Sequence, residues 1–244
     1  METDRASLKQ KIGRWLIPKL PVNSHVFNHL RLELNAIRVR ACHYLHPGYR
    51  ATIKELSGRR NIRANIGCGP FGRSDWVNLD LFRYDQVTLP ADCRSRLPLA
   101  NRSCEGIHVE HFFEHLAPKD ERPRFLSECR RCLQEGGILR IVVPDAELYV
   151  RAYSAAGWDD LNRVSCGGVA PEQVFRTKME ALNHVFLQEA EHYGGYDAET
   201  LGLVLSETGF RDVMRTSWRQ GTFPGGPIDR ELHRPYSLYF EAKR

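Results

Sequence analysis

The residues with the plainest chemical potential form a glycine bend, Asn65-Ile66-Gly67-Cys68-Gly69-Pro70, at the end of a short apolar run. Glycine lets a chain turn sharply and approach a ligand with no Cβ in the way. With Gly72 the spacing spells G-x-G-x-x-G, a pattern shared by dinucleotide sites. Such a site needs a helix after the glycines and an acidic residue about 20 positions on. Here an apolar run restarts at Trp76, and Pro70 removes a backbone amide that would cradle phosphate. The spacing disfavours a diphosphate and fits a sulfonium nucleoside, which carries no phosphate. Asp80 closes the run 76–80, where a carboxylate can accept two hydrogen bonds from a ribose diol. Asp92 closes the next run and can accept from an adenine amino group. Leu81 and Cys93 follow them in the same expected wall.

A fourth run, 106–110, ends in Glu110-His111, followed by Phe112, Phe113, Glu114 and His115. The reacting end of the ligand belongs here, with Glu110 and His111 bordering it. Methyl transfer from a sulfonium is an in-line displacement at carbon, so alignment and exclusion of water do most of the work. An alcohol acceptor also needs a base with a pKa near the working pH, which imidazole supplies. His111, His184 and His192 are the candidates. His192 is preferred, because EHYGGYD follows a long insertion and can face the ligand. No metal site is expected: Cys129 and Cys132 make a C-x-x-C pair, but no second pair supplies the remaining ligands.

The elements that must carry these residues alternate. Strands are expected at 63–66, 76–80, 86–92 and 106–110, then a helix over about 118–134 stopped by Gly136-Gly137. The β-branched run 138–143 reads as a central parallel strand buried on both faces. A helix over 198–208 and closing strands at 211–218 and 237–242 follow, joined by a Gly- and Pro-rich hairpin-like loop, 221–235. Alternation of this kind implies an α/β, mostly parallel sheet flanked by helices. Residues 146–195 break the rhythm and read as a substrate lid. Within it Tyr149, Tyr153, Trp158, Arg163, Arg176 and Tyr193 could stack on a ring or pair with an anion.

The motifs NIGCGP, WVNLDL, ADCRSRLPLANRSCEGIHVEHFFEHL and LSECRRCLQEGGILRIVVPD, in that order, resemble the class I S-adenosylmethionine-dependent methyltransferases. More narrowly, they resemble the methyltransferase type 11 group often encoded with glycan-assembly genes. The closing pattern ALNHVF, EHYGGYDAETLGLVLSETGF and SLYFEAKR fits the same group, so the likeness spans 61–244. It implies a Rossmann-like seven-stranded sheet in the order 3-2-1-4-5-7-6, the last strand antiparallel. It also implies an S-adenosylmethionine site made by Gly67, Cys68 and Gly69, with Asp80 on the ribose and Asp92 by the adenine. Asn65 stands where many members carry an acidic residue for the methionine amino group, and offers an acceptor without charge.

Residues 1–60 form a separate basic extension, with three times as many Lys and Arg as Asp and Glu, while the remainder is slightly acidic. Amphipathic helices are expected at 5–20 and 24–45, the second with Val26, Leu30, Leu34, Ile37 and Cys42 as its apolar stripe. Packing on the core, a homodimer contact, or a peripheral contact of 5–20 with the inner face of a membrane would each use such helices. No apolar stretch is long enough to span a bilayer, and no secretory signal is expected, which points to the cytoplasm. The expected function is methyl transfer to an O or N atom of a small molecule, such as a sugar or glycan precursor. The rival is a nucleoside-binding scaffold without turnover, attached through 1–60. A nucleic-acid substrate is not expected, because no NPPY-like tetrad is present to hold a flipped base.

Overall fold

The computed structural model describes residues 23–164 and 169–244. Its centre is a seven-stranded sheet of β1 (Ile62–Ile66), β2 (Val77–Asp80), β3 (Leu89–Pro90), β4 (Cys104–Glu110), β5 (Leu133–Pro144), β6 (Arg211–Thr216) and β7 (Ser237–Lys243). The strand order is β3-β2-β1-β4-β5-β7-β6. β1 to β5 run parallel, whereas β7 pairs antiparallel with both β5 and β6. The expected sheet is therefore present in full. The parallel strands read as apolar runs because both of their faces are covered: Ile62, Ala64, Ile66, Val77, Leu79, Ile107, Val109, Ile141 and Val143 are all buried in one core.

Helices α1 (Ser24–Leu45) and α2 (Pro47–Gly58) precede the sheet. Between β4 and β5 lies α3 (Glu121–Cys132), and α4 (Ala146–Ser154), α5 (Asp159–Arg163), α6 (Pro171–Val174) and α7 (Lys178–Leu187) fill the insertion. Helix α8 (Ala198–Glu207) leads into β6. Tyr149, Ala152 and Leu161 of the insertion form a small second core with Tyr236, which directly precedes β7.

Two local expectations need correcting, and one that was left open is narrowed. Gly136-Gly137 does not stop the helix: α3 ends at Cys132 and the chain enters β5 at once. Gly136, at φ +72°, instead sits at an irregularity inside β5, and a Cβ on Gly137 would come within 3.1 Å of the Cys104 carbonyl oxygen. The 221–235 loop is not a plain hairpin connection. Phe223 stacks on Trp76 with ring centres 5.3 Å apart, and Asp229 is fully buried. Of the three uses left open for the α1 stripe, packing on the core is not seen: Val26, Leu30, Leu34 and Ile37 are each more than half exposed. Only the small side chains of Ala36 and Val39 are buried on α1, because ionic and hydrogen-bonding groups make the contact instead. The expected helix at 5–20 lies outside the described residues. Among the described residues no helix is long and apolar enough to cross a membrane.

Candidate functional site

The carboxyl ends of β1 to β4 open into a cavity of about 590 Å³, the size and place in an open α/β sheet where small ligands bind. Gly67, Asp80, Leu81, Asp92, Cys93, His111 and Phe112 line it, and the start of α1 roofs it with His25, Asn28, His29, Arg31 and Leu32.

Of the glycine bend, Gly67 lines the cavity, whereas Cys68 and Gly69 do not. Gly67 and Gly69 both have left-handed backbone, φ +67° and +53°, which a side chain would strain. A Cβ on Gly67 would lie 2.7 Å from the Phe112 side chain. Asp80 ties the bend to β2. Its Oδ2 accepts from Gly69 N–H at 2.8 Å and its Oδ1 from Phe82 N–H at 2.8 Å. Burial raises the Asp80 carboxyl, opposed by those two amides. Each oxygen keeps a further lone pair for a ligand. Between β1 and β2 the chain makes turns and no helix, so the bend is not followed by a helix N-terminus of the kind that holds a dinucleotide's phosphates.

Of the expected residues, Asn65, Cys68 and Glu110 do not line the cavity, while Asp92 and Cys93 line it with their side chains engaged elsewhere. Asn65 is buried and donates from Nδ2 to the Phe71 carbonyl at 3.4 Å, holding the bend from behind. Cys68 is buried, and desolvation pushes its thiol up to about 12. Cys93 is also buried, its thiol raised by burial. Asp92 borders the cavity, but Arg40 Nη1 lies 3.0 Å from Oδ2 and Arg94 Nε 2.9 Å from Oδ1. Arg94 also pairs with Glu33 of α1, and His43 Nε2 reaches the Pro90 carbonyl at 2.7 Å. These contacts seat α1 over the cavity. Glu110 turns away from it: Arg230 N–H and His233 Nδ1 both lie 3.0 Å from Oε1. Burial would raise the Glu110 carboxyl, but His233, His108 and Arg230 hold it down at about 2.

His111 sits at the mouth of β4 with φ +53°, strained for a residue with a Cβ. Its Nε2 meets Ser237 Oγ at 2.8 Å, and its ring centre is 3.9 Å from that of His233. Glu114 follows, fully buried, and His115 borders the cavity. His192 is buried next to His115, ring centres 4.6 Å apart, and burial lowers its pKa. His184 is elsewhere: it is exposed on α7 against Phe175 and does not line the cavity. Of the aromatic and Arg candidates in the insertion, Tyr193 reaches the cavity. Arg163 and Arg176 pair on the surface with Asp160 and Glu180.

Sequence reasoning missed two features. The roof residues of α1 are polar and carried no motif. Glu114 and His115 were noticed only as neighbours of His111, and nothing in their spacing tied them to His192.

Residues 75–141, less than half of the chain, match the family model for a methyltransferase domain. The match begins after the glycine bend and runs from β2 into β5. S-adenosylmethionine is the cofactor that this match supports. No curated protein sequence matches the chain. Similar solved structures include a SAM-dependent methyltransferase from Archaeoglobus fulgidus, at 18% identity and TM-score 0.44, covering 87% of this chain and 94% of that one. Another is the 1,6-didemethyltoxoflavin-N1-methyltransferase of Burkholderia thailandensis, determined with 1,6-didemethyltoxoflavin and S-adenosylhomocysteine. It is 14% identical with TM-score 0.44, and 92% of each chain is covered.

Proposed function

We propose that the protein is an S-adenosylmethionine-dependent methyltransferase acting on an O or N atom of a small molecule. One observation carries this reading. The cavity at the ends of β1 to β4 has a left-handed glycine turn at Gly67 and a carboxylate wall, Asp80, and no helix follows the glycines between β1 and β2 to cradle a phosphate. A nucleoside with a sulfonium tail suits that lining. Gly67 and Gly69 give close backbone approach, Asp80 takes the ribose hydroxyls, and the wall from Asp92 to Cys93 flanks the base. The methyl would then point toward the end of β4, where His111, Phe112 and His115 border the cavity.

The residues from 146 to 195 act as the acceptor lid in this reading, with Tyr193 its member at the cavity. A sugar or glycan precursor is the acceptor we favour, on the family likeness. The reading also puts the chain in the cytoplasm. Residues 1–60 then serve contact with a second copy or the inner face of a membrane, and the outward stripe of α1 supports such a contact.

Isothermal titration with S-adenosylmethionine tests the cofactor. Saturable binding at micromolar concentration is expected, and no heat at high micromolar concentration overturns the reading. Labelled S-adenosylmethionine incubated with fractionated extract then identifies the acceptor by mass spectrometry.

A further inference from the structure

Glu114, His115 and His192 converge beside the cavity, offering ligand atoms that all lie within 4.8 Å of one another. We propose that these three residues bind a first-row divalent cation that presents an acceptor oxygen to the methyl group; its catalytic part rests on the methyltransferase reading above.

Two independent observations point to an ion. The first is Glu114. Both of its carboxylate oxygens are buried with no hydrogen-bond partner. His111 Nδ1 lies 3.2 Å from Oε1, as a charge contact and not an aligned hydrogen bond. A buried carboxylate whose nearest ionisable neighbour is one poorly aligned imidazole, with Oε2 unpartnered, is costly, and an ion supplies what is missing. The second is the way the imidazoles are held. His115 Nδ1 is 3.1 Å from the Glu191 carbonyl, and His192 Nδ1 is 2.7 Å from the Val185 carbonyl. A carbonyl can only accept, so each Nδ1 carries the proton and each Nε2 keeps its lone pair. Metal-binding histidines are oriented in this way by a backbone carbonyl on the other ring nitrogen.

Tetrahedral ligands about 2.1 Å from one ion lie about 3.4 Å apart. The widest pair, within 4.8 Å, therefore closes by up to about 1.4 Å as the side chains turn inward on the ion. Two imidazoles and one carboxylate suit Mn, Fe, Co or Zn better than Mg or Ca, which favour all-oxygen shells. Three protein ligands leave a position open, the arrangement of catalytic and not structural sites. His115, Glu191 and Tyr193 border the cavity, so the open position adjoins the space where the acceptor must lie.

A hydroxyl taking that position would have its pKa lowered by the ion. It gives its proton to solvent, and its oxygen forms a bond to the methyl carbon. The bond from that carbon to the sulfonium sulfur breaks, its electron pair stays on sulfur, and neutral S-adenosylhomocysteine results. The acceptor class is accordingly an alcohol, and His192 serves the ion in place of acting as a free general base.

The test uses the full chain, stripped with a chelator and titrated with Co(II) by visible absorption and with Zn(II) by calorimetry, without any methyl donor. One ion per chain is expected. His115→Ala and His192→Ala should each weaken it at least about 10- to 100-fold. His115 is partly exposed, so its variant keeps the test informative if Glu114→Gln fails to fold. Absence of saturable binding, or affinity unchanged from wild type in the histidine variants, overturns the proposal. S-adenosylmethionine affinity of the stripped protein is measured in parallel. Donor binding without metal binding defeats the ion alone, and metal binding without donor binding defeats the methyltransferase reading while leaving the site.

Discussion

Arg140 and Asp229 meet with neither side chain exposed, Nε 2.7 Å from Oδ1 and Nη2 2.5 Å from Oδ2. This pair fastens the 221–235 loop to the middle of β5. Arg140 also donates to Glu241 Oε1 at 2.9 Å and to the carbonyls of Ser217 and Gln220. Removing Arg140 takes the guanidinium from two buried carboxylates, Asp229 and Glu241, which costs about 3–5 kcal/mol. Arg140→Met should therefore lower the melting temperature by on the order of 10 °C. The double variant Arg140→Met/Asp229→Leu should recover part of that, because it removes one of the orphaned carboxylates. A single-variant loss of less than about 1 kcal/mol would contradict this account.

Acid should unfold the protein through the same region. His233, His108 and Arg230 outweigh burial and hold Glu110 at about 2. Asp229 is likewise depressed, by His108 and Arg140 acting against burial. A carboxyl depressed in the fold stabilises it fully above the unfolded pKa, and that share disappears as pH falls toward the folded value. Stability should thus drop between about pH 4 and about pH 2. Urea midpoints across that range check it. Glu110→Gln, already lacking the charge, should be less stable at neutral pH and show a shallower acid limb. An identical limb would sink the assignment.

Gly67→Ala tests the floor of the cavity. The new Cβ meets Phe112 at 2.7 Å and sits at φ +67°. The left-handed backbone alone costs about 1–2 kcal/mol for a residue with a Cβ, so S-adenosylmethionine affinity should fall about tenfold or more. Adding Phe112→Ala relieves the clash but not the backbone strain, and should restore affinity only in part. Unchanged calorimetric affinity in Gly67→Ala would remove the bend from the site.

Asp80→Asn tests the wall. The carboxylate accepts from Gly69 and Phe82 amides at once. An amide in its place must turn its NH2 toward one of those donors. Loss of a charged acceptor is worth about 1.5–3 kcal/mol, or roughly 10- to 150-fold in affinity for the nucleoside. Adenosine should be weakened in parallel with the full cofactor, since both carry the ribose. Equal loss for the cofactor but none for adenosine would place the ribose elsewhere.

Much of this was legible because local pattern and burial coincide. The apolar run 138–143 could only be a covered central strand, and β5 is that strand. The glycine bend and Asp80 were legible because backbone freedom and a strand-end carboxylate have few other uses. Asp92 was seen, but its two guanidinium partners were not, since Arg40 lies on a different element far back in the chain. The Gly136-Gly137 pair misled because glycine serves a helix stop and a strand irregularity equally well. The Glu114, His115 and His192 cluster was illegible because only the fold brings His192 back beside β4.

The α1 helix yields the last prediction. The spacing of Val26, Leu30, Leu34 and Ile37 left the core, a second copy or a membrane as its partner, and these side chains are exposed on the fold. The helix is held instead by Arg94, which pairs with Glu33, Asp92 and Glu121, and by Arg40 on Asp92. Arg94 is the hub, and little apolar area would replace it if it were lost. Arg94→Ala should therefore loosen α1 while leaving the sheet intact. Hydrogen exchange in 24–45 should quicken, with β4 and β5 unchanged. Because α1 roofs the cavity through His25, Asn28 and Leu32, S-adenosylmethionine should also bind several-fold more weakly and dissociate faster. Faster exchange with unaltered cofactor affinity would mean that the roof does not touch the ligand. Unaltered exchange would mean that the apolar stripe is covered in solution and holds the helix by another contact.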